Sequence, residues 1–220
     1  EAGATLLLTD GVCFDVQGGL VFNGTEEDRI SVGSDPAPTA RRSFYGRSGK
    51  WGSIHADSPT DSINIHYTDL RSGSFGRDRA THYSTISTYN TTIQVEGSTI
   101  TEGLAPFIAR GGSAHIAGSE FHTFNSVNGF VSLYDMDSPL IEGCTFRGNR
   151  ANNTDAIDLK GITNGMVRDN LIYGFLGSNC DGIDLGINSE NVLVEQNIIH
   201  DCTDKGICFG SQSNADIRRN

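Results

Sequence analysis

The sequence predicts an all-β fold, namely a right-handed, single-stranded parallel β-helix in which short strands form a coil and successive turns of the coil stack. Two repeated strand patterns predict this fold, together with the lack of any sustained helical periodicity. The composition agrees, because 27 of the 220 residues are glycine, 5 are proline and 36% are apolar. Such a chain is too apolar to be disordered and has enough glycine for many tight turns.

The first pattern is a six-residue phrase of an apolar anchor, a variable residue, a small or polar pair, a second variable residue and a second apolar residue. Its anchors are Ile65, Val95, Ile116, Ile141, Val167 and Val194, with a shortened copy at Ile217. The alternation has period two, which is typical of strands. A repeat of 21 to 30 residues cannot bury its apolar face alone. We therefore expect the copies to stack as parallel strands about 4.8 Å apart, with right-handed connections.

The second pattern is a shorter strand that precedes the later anchors. Its apolar pairs are Val131 and Leu133, Ile157 and Leu159, Ile183 and Leu185, and Ile207 and Phe209. Each pair is separated by one residue, so both members are expected to face the core. Each turn of the coil, called a rung below, therefore contains at least two short strands.

Residues 1–220 are interpreted as one β-helix domain that is a fragment of a longer chain. Residues 1–53 supply early rungs with a projecting loop at 33–50, which is rich in Pro, Gly, Ser and Arg, and residues 54–220 supply regular rungs. Because an incomplete coil exposes unpaired strands, flanking domains or other subunits are expected to cap its ends.

The third position after the anchor carries asparagine in the last three copies, Asn170, Asn197 and Asn220. Stacked asparagines can hydrogen-bond to one another through their side-chain amides, so a structural ladder is predicted here. The phrases VRDNLIYGF and VEQNIIHD resemble the repeat of the pectate-lyase-like right-handed parallel β-helix superfamily. The opening GGLVFNGT, followed later by WGSI, is similar to bacterial surface members. The resemblance covers about residues 54–220 and implies the fold and an extracellular or cell-surface location.

A column of acids accompanies the second strand pattern. If Ile157 and Ile183 face the core, Asp158 and Asp184 point outward on neighbouring rungs, about 4.8 Å apart. Two carboxylates at this distance either raise a pKa or recruit a cation. Asp158, Asp184 and the nearby Asp155 are therefore predicted ligands of a Ca²⁺ ion, which prefers oxygen donors. The alternative is that these aspartates are simply solvated.

The resemblance also implies a catalytic alternative. β-Helix polysaccharide lyases use a lysine or arginine base beside a calcium-held uronate, and Lys160 would be the corresponding base here. Asp181 is the second catalytic candidate, because it stacks between Asp155 and Lys205 and could act with Asp158 as an acid–base pair of a glycan hydrolase. Charge compensation by the lysines is the structural alternative.

The five cysteines are odd in number and lack a CxxC pair, so a zinc site is not expected. Cys180 and Cys202 are about one rung apart, which makes a disulfide between neighbouring rungs the first hypothesis and two small buried thiols the second.

Net charge and hydropathy limit the classes of partner that are expected to bind this chain. The net charge of −11 argues against nucleic acid, and no apolar run is long enough for membrane insertion. Tyr134, Tyr173, Phe44, Tyr45 and Trp51 are expected on turns or at the mouth of the loop, where they could contact a polysaccharide. The leading hypothesis is an extracellular scaffold that is structural or carbohydrate-interacting. A Ca²⁺-dependent polysaccharide lyase and a fibre or appendage subunit are the alternatives.

Overall fold

The computed structural model describes residues 1–35, 49–74, 84–125, 127–211 and 213–220. In these residues the chain forms 24 strands and no helix, and the strands make three parallel sheets of eight strands each. Each sheet takes every third strand of the chain, so every rung contributes one strand to each sheet. This arrangement confirms the predicted right-handed parallel β-helix.

The strands alternate in a fixed order around the coil. The first sheet consists of β1 (Thr5–Leu8), β4 (Ile30–Ser34), β7 (Thr68–Arg71), β10 (Thr99–Thr101), β13 (Glu120–His122), β16 (Thr145–Arg147), β19 (Leu171–Phe175) and β22 (Ile198–Cys202). The second sheet consists of β2 (Phe14–Asp15), β5 (Ile54–Ala56), β8 (Ile86–Tyr89), β11 (Phe107–Arg110), β14 (Gly129–Tyr134), β17 (Asp155–Lys160), β20 (Ile183–Leu185) and β23 (Ile207–Phe209). The third sheet consists of β3 (Gly19–Asn23), β6 (Ser62–His66), β9 (Thr92–Glu96), β12 (Ser113–Ala117), β15 (Leu140–Glu142), β18 (Met166–Arg168), β21 (Val192–Glu195) and β24 (Ala215–Arg218).

The six-residue phrase spans the tight corner between the third and first sheets. One residue at each copy of this corner has a positive φ, as at Gly97 (54°), Gly118 (54°) and Gly143 (61°). Glycine adopts this left-handed conformation without steric cost, which explains its recurrence at that position. The later rungs place Asp169 and Gln196 there instead, both with φ of 58°.

The residue after this corner points into the coil and forms hydrogen bonds from rung to rung. The Asn170 side-chain amide donates to Asn197 Oδ1 at 2.9 Å, and the Asn197 amide donates to Asn220 Oδ1 at 2.8 Å. The backbone N–H groups of Asn170 and Asn197 donate to the same acceptors, at 3.1 and 3.0 Å. These three residues are called the amide ladder below.

The core runs the length of the coil and is filled by one column of side chains from each sheet. Phe121 and Phe146 stack in neighbouring rungs with ring centroids 5.1 Å apart, and Phe130 packs against Phe175 at 5.0 Å. All four rings are fully buried. Continuous burial of this kind is what allows rungs that are too small to fold alone to stabilise one another.

The outward face of the third sheet carries a column of paired charges. Arg168 Nη2 lies 2.6 Å from Glu142 Oε2, and Arg218 Nε lies 2.9 Å from Glu195 Oε2. Opposite charges on adjacent strands stabilise a sheet modestly, so this column is structural.

The early rungs hold strands β1 to β4, and the loop predicted at 33–50 lies for the most part outside the described residues. Phe44 and Tyr45 also lie outside them. Trp51, which was expected at the mouth of this loop, is fully buried, and its indole N–H donates to Arg71 O at 2.6 Å. Within the described ranges, no helix long and apolar enough to cross a membrane is found.

Candidate functional site

The candidate site lies on the outward face of the second sheet. Strands β17, β20 and β23 pair in the predicted register, with Asp158 opposite Asp184 and Asp184 opposite Cys208. The residue two positions further along each strand forms a parallel column, in which Tyr134 is opposite Lys160. Alternation within the strands brings both columns to the same outer surface.

Asp158 points away from the core, but the solvated state considered from the sequence is wrong. Its side chain is 1% exposed, because neighbouring side chains cover it. The Tyr134 hydroxyl donates to Asp158 Oδ2 at 2.7 Å, and Lys160 Nζ lies 3.0 Å from the carboxylate. Alternation of residues along a strand gives the direction of a side chain, whereas its exposure depends on what neighbouring strands place over it.

The same contacts change the chemistry of Tyr134. Burial, followed by the negative charge of Asp158, raises the pKa of the Tyr134 hydroxyl well above its usual range. This phenol therefore stays protonated at neutral pH and acts as a hydrogen-bond donor to Asp158.

Four residues of the second column form what we call the cation–aromatic stripe, Tyr89, Arg110, Tyr134 and Lys160, which are adjacent in register on strands β8, β11, β14 and β17. The Arg110 guanidinium lies 5.2 Å from the Tyr134 ring centroid, and Lys160 Nζ lies 5.6 Å from it. Both distances are within the range of cation–π attraction. The Arg110 side chain is 46% exposed and that of Lys160 is 43% exposed, so both cations remain accessible.

A second group of acids lies where the strands of the second sheet begin. Asp155 Oδ1 accepts the backbone N–H of Asp181 at 2.7 Å, and Asp181 Oδ1 accepts the backbone N–H of Lys205 at 2.9 Å. These three residues are called the carboxylate column below. Burial, helped by the charges of Asp181, Asp184 and Asp158, raises the pKa of Asp155 to about 7.

The predicted Ca²⁺ ligands are thus spread over two different environments. Asp158 is engaged by Tyr134 and Lys160, whereas Asp155 belongs to the carboxylate column. The pKa of Asp184, which lies opposite Asp158 on the next strand, is raised by burial and by the charge of Asp158. Residues with metal-ligating atoms that come together are Asp181, Asp184 and Cys208, whose atoms all lie within 4.8 Å of one another. Ca²⁺ binding here stays a prediction.

The two catalytic candidates differ in accessibility. Lys160 is the exposed cation of the stripe and contacts Asp158. Asp181 is 7% exposed and is held by backbone hydrogen bonds, while Lys205 Nζ lies 4.0 Å from its Oδ1. Of the two, Lys160 is therefore the residue that a ligand on the outer surface would reach.

The predicted disulfide between Cys180 and Cys202 is absent, because both thiols are free in the structure. Cys202 pairs in register with Phe175, and Cys180 lies five residues further along that rung. Cys180 Sγ donates instead to Ala151 O at 3.2 Å. The two cysteines therefore occupy different columns of the coil.

The groove at the corner between the first and second sheets provides another accessible surface. It has a volume of about 510 Å³ and is lined by His122, Phe124, Gly148, Asn149, Arg150 and Ala151. Phe124 is 72% exposed and packs edge-on against the His122 ring at 4.6 Å. Tyr173, another aromatic residue expected to contact a ligand, is half-buried and stacks on His200.

Sequence reasoning missed the roles of Tyr89 and Arg110, and it left Cys208 out of the predicted metal ligands although its outward position follows from the repeat. Tyr89 and Arg110 are in register with Tyr134 and Lys160, so an alignment of the early rungs with the later ones would have found them. The relationship is difficult to recognise in the sequence of the early rungs, because β8 and β11 contain no aspartate that would mark the outward positions.

Comparisons with known proteins place the chain among β-helix proteins. The family model described as "Right handed beta helix region" matches residues 84–220. An alginate lyase from Paenibacillus sp. str. FPU-7 is similar at 10% identity and a TM-score of 0.27, over 97% of this chain and 93% of that one. ORF18 of Geobacillus virus E2 is similar at 11% identity and a TM-score of 0.28, over 94% of this chain and 48% of that one. No curated protein sequence matches the chain.

Proposed function

We propose that this chain, which belongs to the family of right-handed β-helix proteins, is a carbohydrate-interacting β-helix that binds an acidic polysaccharide along its second sheet. The observation that carries the proposal is the cation–aromatic stripe on that sheet. Its location is proposed to be extracellular or at a cell surface, where such polymers occur.

The geometry of the stripe suits a linear polymer. Its four side chains follow the axis of the coil at the spacing of adjacent strands, about 4.8 Å. Arg110 and Lys160 offer positive charge, and Arg110 is also 3.5 Å from Asp135. Tyr89 is 44% exposed and offers an aromatic edge for a sugar ring. In a chain with a net charge of −11, two exposed cations flanking an aromatic ring provide a local attraction for carboxylated sugars rather than a general one.

The proposal is tested by measuring binding to a polyuronate and to a neutral polysaccharide by isothermal titration calorimetry at low and high salt. We expect the native chain to bind the polyuronate, and the Arg110→Ala and Lys160→Ala variants to bind it at least about tenfold more weakly, a loss of about 1.4 kcal/mol. Tyr89→Ala should weaken it less, since this residue contributes only an aromatic surface.

Arg168→Ala is the matched control, because it removes an equally exposed cation from the outward face of the third sheet. If Arg168→Ala weakened binding as much as Lys160→Ala, the attraction would be a matter of net charge, and the stripe would not be the site. Equal affinity for the neutral polysaccharide would also contradict the proposal.

Polysaccharide cleavage is a second candidate function, favoured by the contact of Lys160 with the buried Asp158. A lysine held beside a carboxylate and exposed on its other side can take part in proton transfer at a bound sugar. Incubation with alginate, pectate and chondroitin in the presence of Ca²⁺ should then produce the absorbance of unsaturated uronates. Lys160→Ala should abolish it. If none of the three polymers produced this absorbance, the chain would bind polysaccharide without cleaving it.

Assembly into a fibre or appendage is the third candidate, since all three sheets stack parallel strands along one axis that a further β-helix can continue. Flanking domains or other subunits are proposed to pair with the end rungs, and stacking of copies end to end would form a fibre. Electron microscopy of the full-length protein that showed only monomers would contradict fibre formation.

A further inference from the structure

A cluster of metal-ligating groups lies on the last two strands of the second sheet, next to the end of the cation–aromatic stripe. A carboxylate oxygen of Asp181, one of Asp184 and the sulfur of Cys208 all lie within 4.8 Å of one another. Asp184 and Cys208 are opposite each other on β20 and β23. These mutual distances mean that the three groups face a common point.

The surroundings of this cluster carry more negative than positive charge. Asp158 lies opposite Asp184 in register, Asp155 Oδ1 accepts the backbone N–H of Asp181, and a carboxylate oxygen of Asp181 lies within 4.8 Å of one of Asp184, so four acids are close together. Lys160 is already engaged by Asp158, and Lys205 contacts Asp204 more closely than Asp181. A bound cation would relieve this excess.

The neighbouring strand supplies an independent observation. Asp158 lies directly opposite Asp184 on β17, and its Oδ1 is buried and accepts no hydrogen bond within the described residues. Lys160 Nζ, at 3.0 Å, offers this oxygen a charge contact without a hydrogen bond of acceptable geometry. A buried carboxylate oxygen in this state is an acceptor that a water held on a neighbouring ion would satisfy.

We propose that Asp181, Asp184 and Cys208 bind a thiophilic divalent ion, with Zn²⁺ as the expected occupant. A thiolate is a soft ligand that Zn²⁺ accepts, whereas Ca²⁺ requires six to eight oxygen donors. Three protein ligands leave a fourth position of a tetrahedral Zn²⁺ site open to water or to a ligand. The search for a CxxC pair in the sequence missed this site, because its ligands come from two rungs rather than from one short segment.

Titration of the full chain with Co²⁺ as a spectroscopic substitute for Zn²⁺ tests the site. We expect one equivalent to produce a thiolate-to-cobalt charge-transfer band in the near ultraviolet, which Zn²⁺ then removes and an excess of Ca²⁺ does not. Cys208→Ser should abolish the band and weaken Zn²⁺ binding by more than about tenfold, and Asp184→Asn should weaken it by a similar factor. Cys13→Ser, which changes another partly buried thiol far from the cluster, should leave both unchanged.

Absence of the band in the native chain, its persistence in Cys208→Ser, or its removal by Ca²⁺ would overturn the proposal. If Cys208→Ser fails to fold, as judged by circular dichroism, alkylation of the native chain gives the answer instead. Zn²⁺ should then slow the modification of Cys208, detected by mass spectrometry, without slowing that of Cys13. Equal alkylation rates with and without Zn²⁺ would also overturn it.

Discussion

The amide ladder and the carboxylate column use the same stacking geometry with opposite consequences. In the ladder, Asn197 both accepts hydrogen bonds from Asn170 and donates one to Asn220, because an amide carries donors and acceptors. In the column, Asp155 and Asp181 accept backbone N–H groups but have nothing to donate when ionised. A stack of amides satisfies itself, whereas a stack of carboxylates needs protons, lysines or a metal ion.

This difference indicates that the amide ladder serves the stability of the fold, whereas the carboxylate column is suited to binding or catalysis. The amide ladder is neutral, Asn170 and Asn197 are buried in it, and hydrogen bonds join its three members, so it holds neighbouring rungs in register. In the carboxylate column, burial raises the pKa of Asp155 to about 7, and Asp181 is one of the candidate metal ligands. Perturbed carboxyl groups of this kind are characteristic of functional sites.

The largest loss of stability is expected when the amide ladder is interrupted at Asn197, its central residue. Asn197→Ala removes the acceptor for two Asn170 N–H groups and the donor to Val167 O and Asn220 Oδ1. The free energy of unfolding, measured by urea denaturation, should fall by about 3 kcal/mol, because buried groups are left without partners.

Asn23→Ala is the control for that change, since Asn23 is exposed at the end of β3. It should alter the free energy of unfolding by less than about 0.5 kcal/mol. Equal effects of the two substitutions would mean that the ladder contributes nothing beyond an ordinary asparagine.

An intermediate effect is expected from neutralising the carboxylate column with Asp155→Asn. Burial raises the pKa of Asp155 from its ordinary 3.8 to about 7 in the folded chain, so the folded state holds its proton more tightly than the unfolded state. The contribution to stability is therefore fully present below pH 4 and is lost as the pH rises to about 7. Asp155→Asn keeps an acceptor for the Asp181 N–H and should remove this loss, with a relative gain on the order of 1 kcal/mol at pH 8.

Urea denaturation at pH 4, 6 and 8 measures this change, with Glu190→Gln as the control at an exposed carboxyl group. The stability difference between Asp155→Asn and the native chain should grow with pH, and that for Glu190→Gln should not. A constant difference for Asp155→Asn would show that the Asp155 carboxyl titrates normally.

The smallest loss of stability is expected from a change on the third sheet, where partly exposed charges form ion pairs between neighbouring strands. Arg168→Leu removes the contact with Glu142, whose pKa is held below its usual range chiefly by the Arg168 hydrogen bond and then by His115. The urea midpoint should fall by less than in Asn197→Ala, and the difference should vanish in high salt because surface pairs are screened. A difference that survives in high salt would indicate that the pair also packs the sheet.

The sequence was enough to predict the coil and the pairing of its later rungs. The inward isoleucines Ile157, Ile183 and Ile207 are each followed by an outward polar residue or cysteine, which determines which residues lie opposite one another, and the observed register confirms it. The alternation could not predict that Asp158 is buried, because its cover comes from Tyr134 on another strand. Contacts between columns depend on side-chain lengths and rotamers that a repeat pattern does not contain.

The prediction of a disulfide from spacing along the chain was also wrong, because loop lengths vary between rungs. Cys180 and Cys202 are close to one repeat apart, but β19 and β22 pair with an offset of 27 residues, as Phe175 opposite Cys202 shows. Strands β20 and β23 pair with an offset of 24, as Asp184 opposite Cys208 shows. No single repeat length describes both sheets, so a separation of 22 residues matched neither column.

Direct titration of the Asp155 carboxyl group tests the central contrast between the two stacks. The ¹³C chemical shift of this carboxyl carbon, followed by NMR from pH 3 to 9 in the presence of a chelator, reports its protonation without any effect of metal. Burial of this carboxyl group, helped by the charges of the neighbouring acids, predicts a midpoint at about 7. A midpoint near 3.8, the ordinary value for an aspartate, would contradict it.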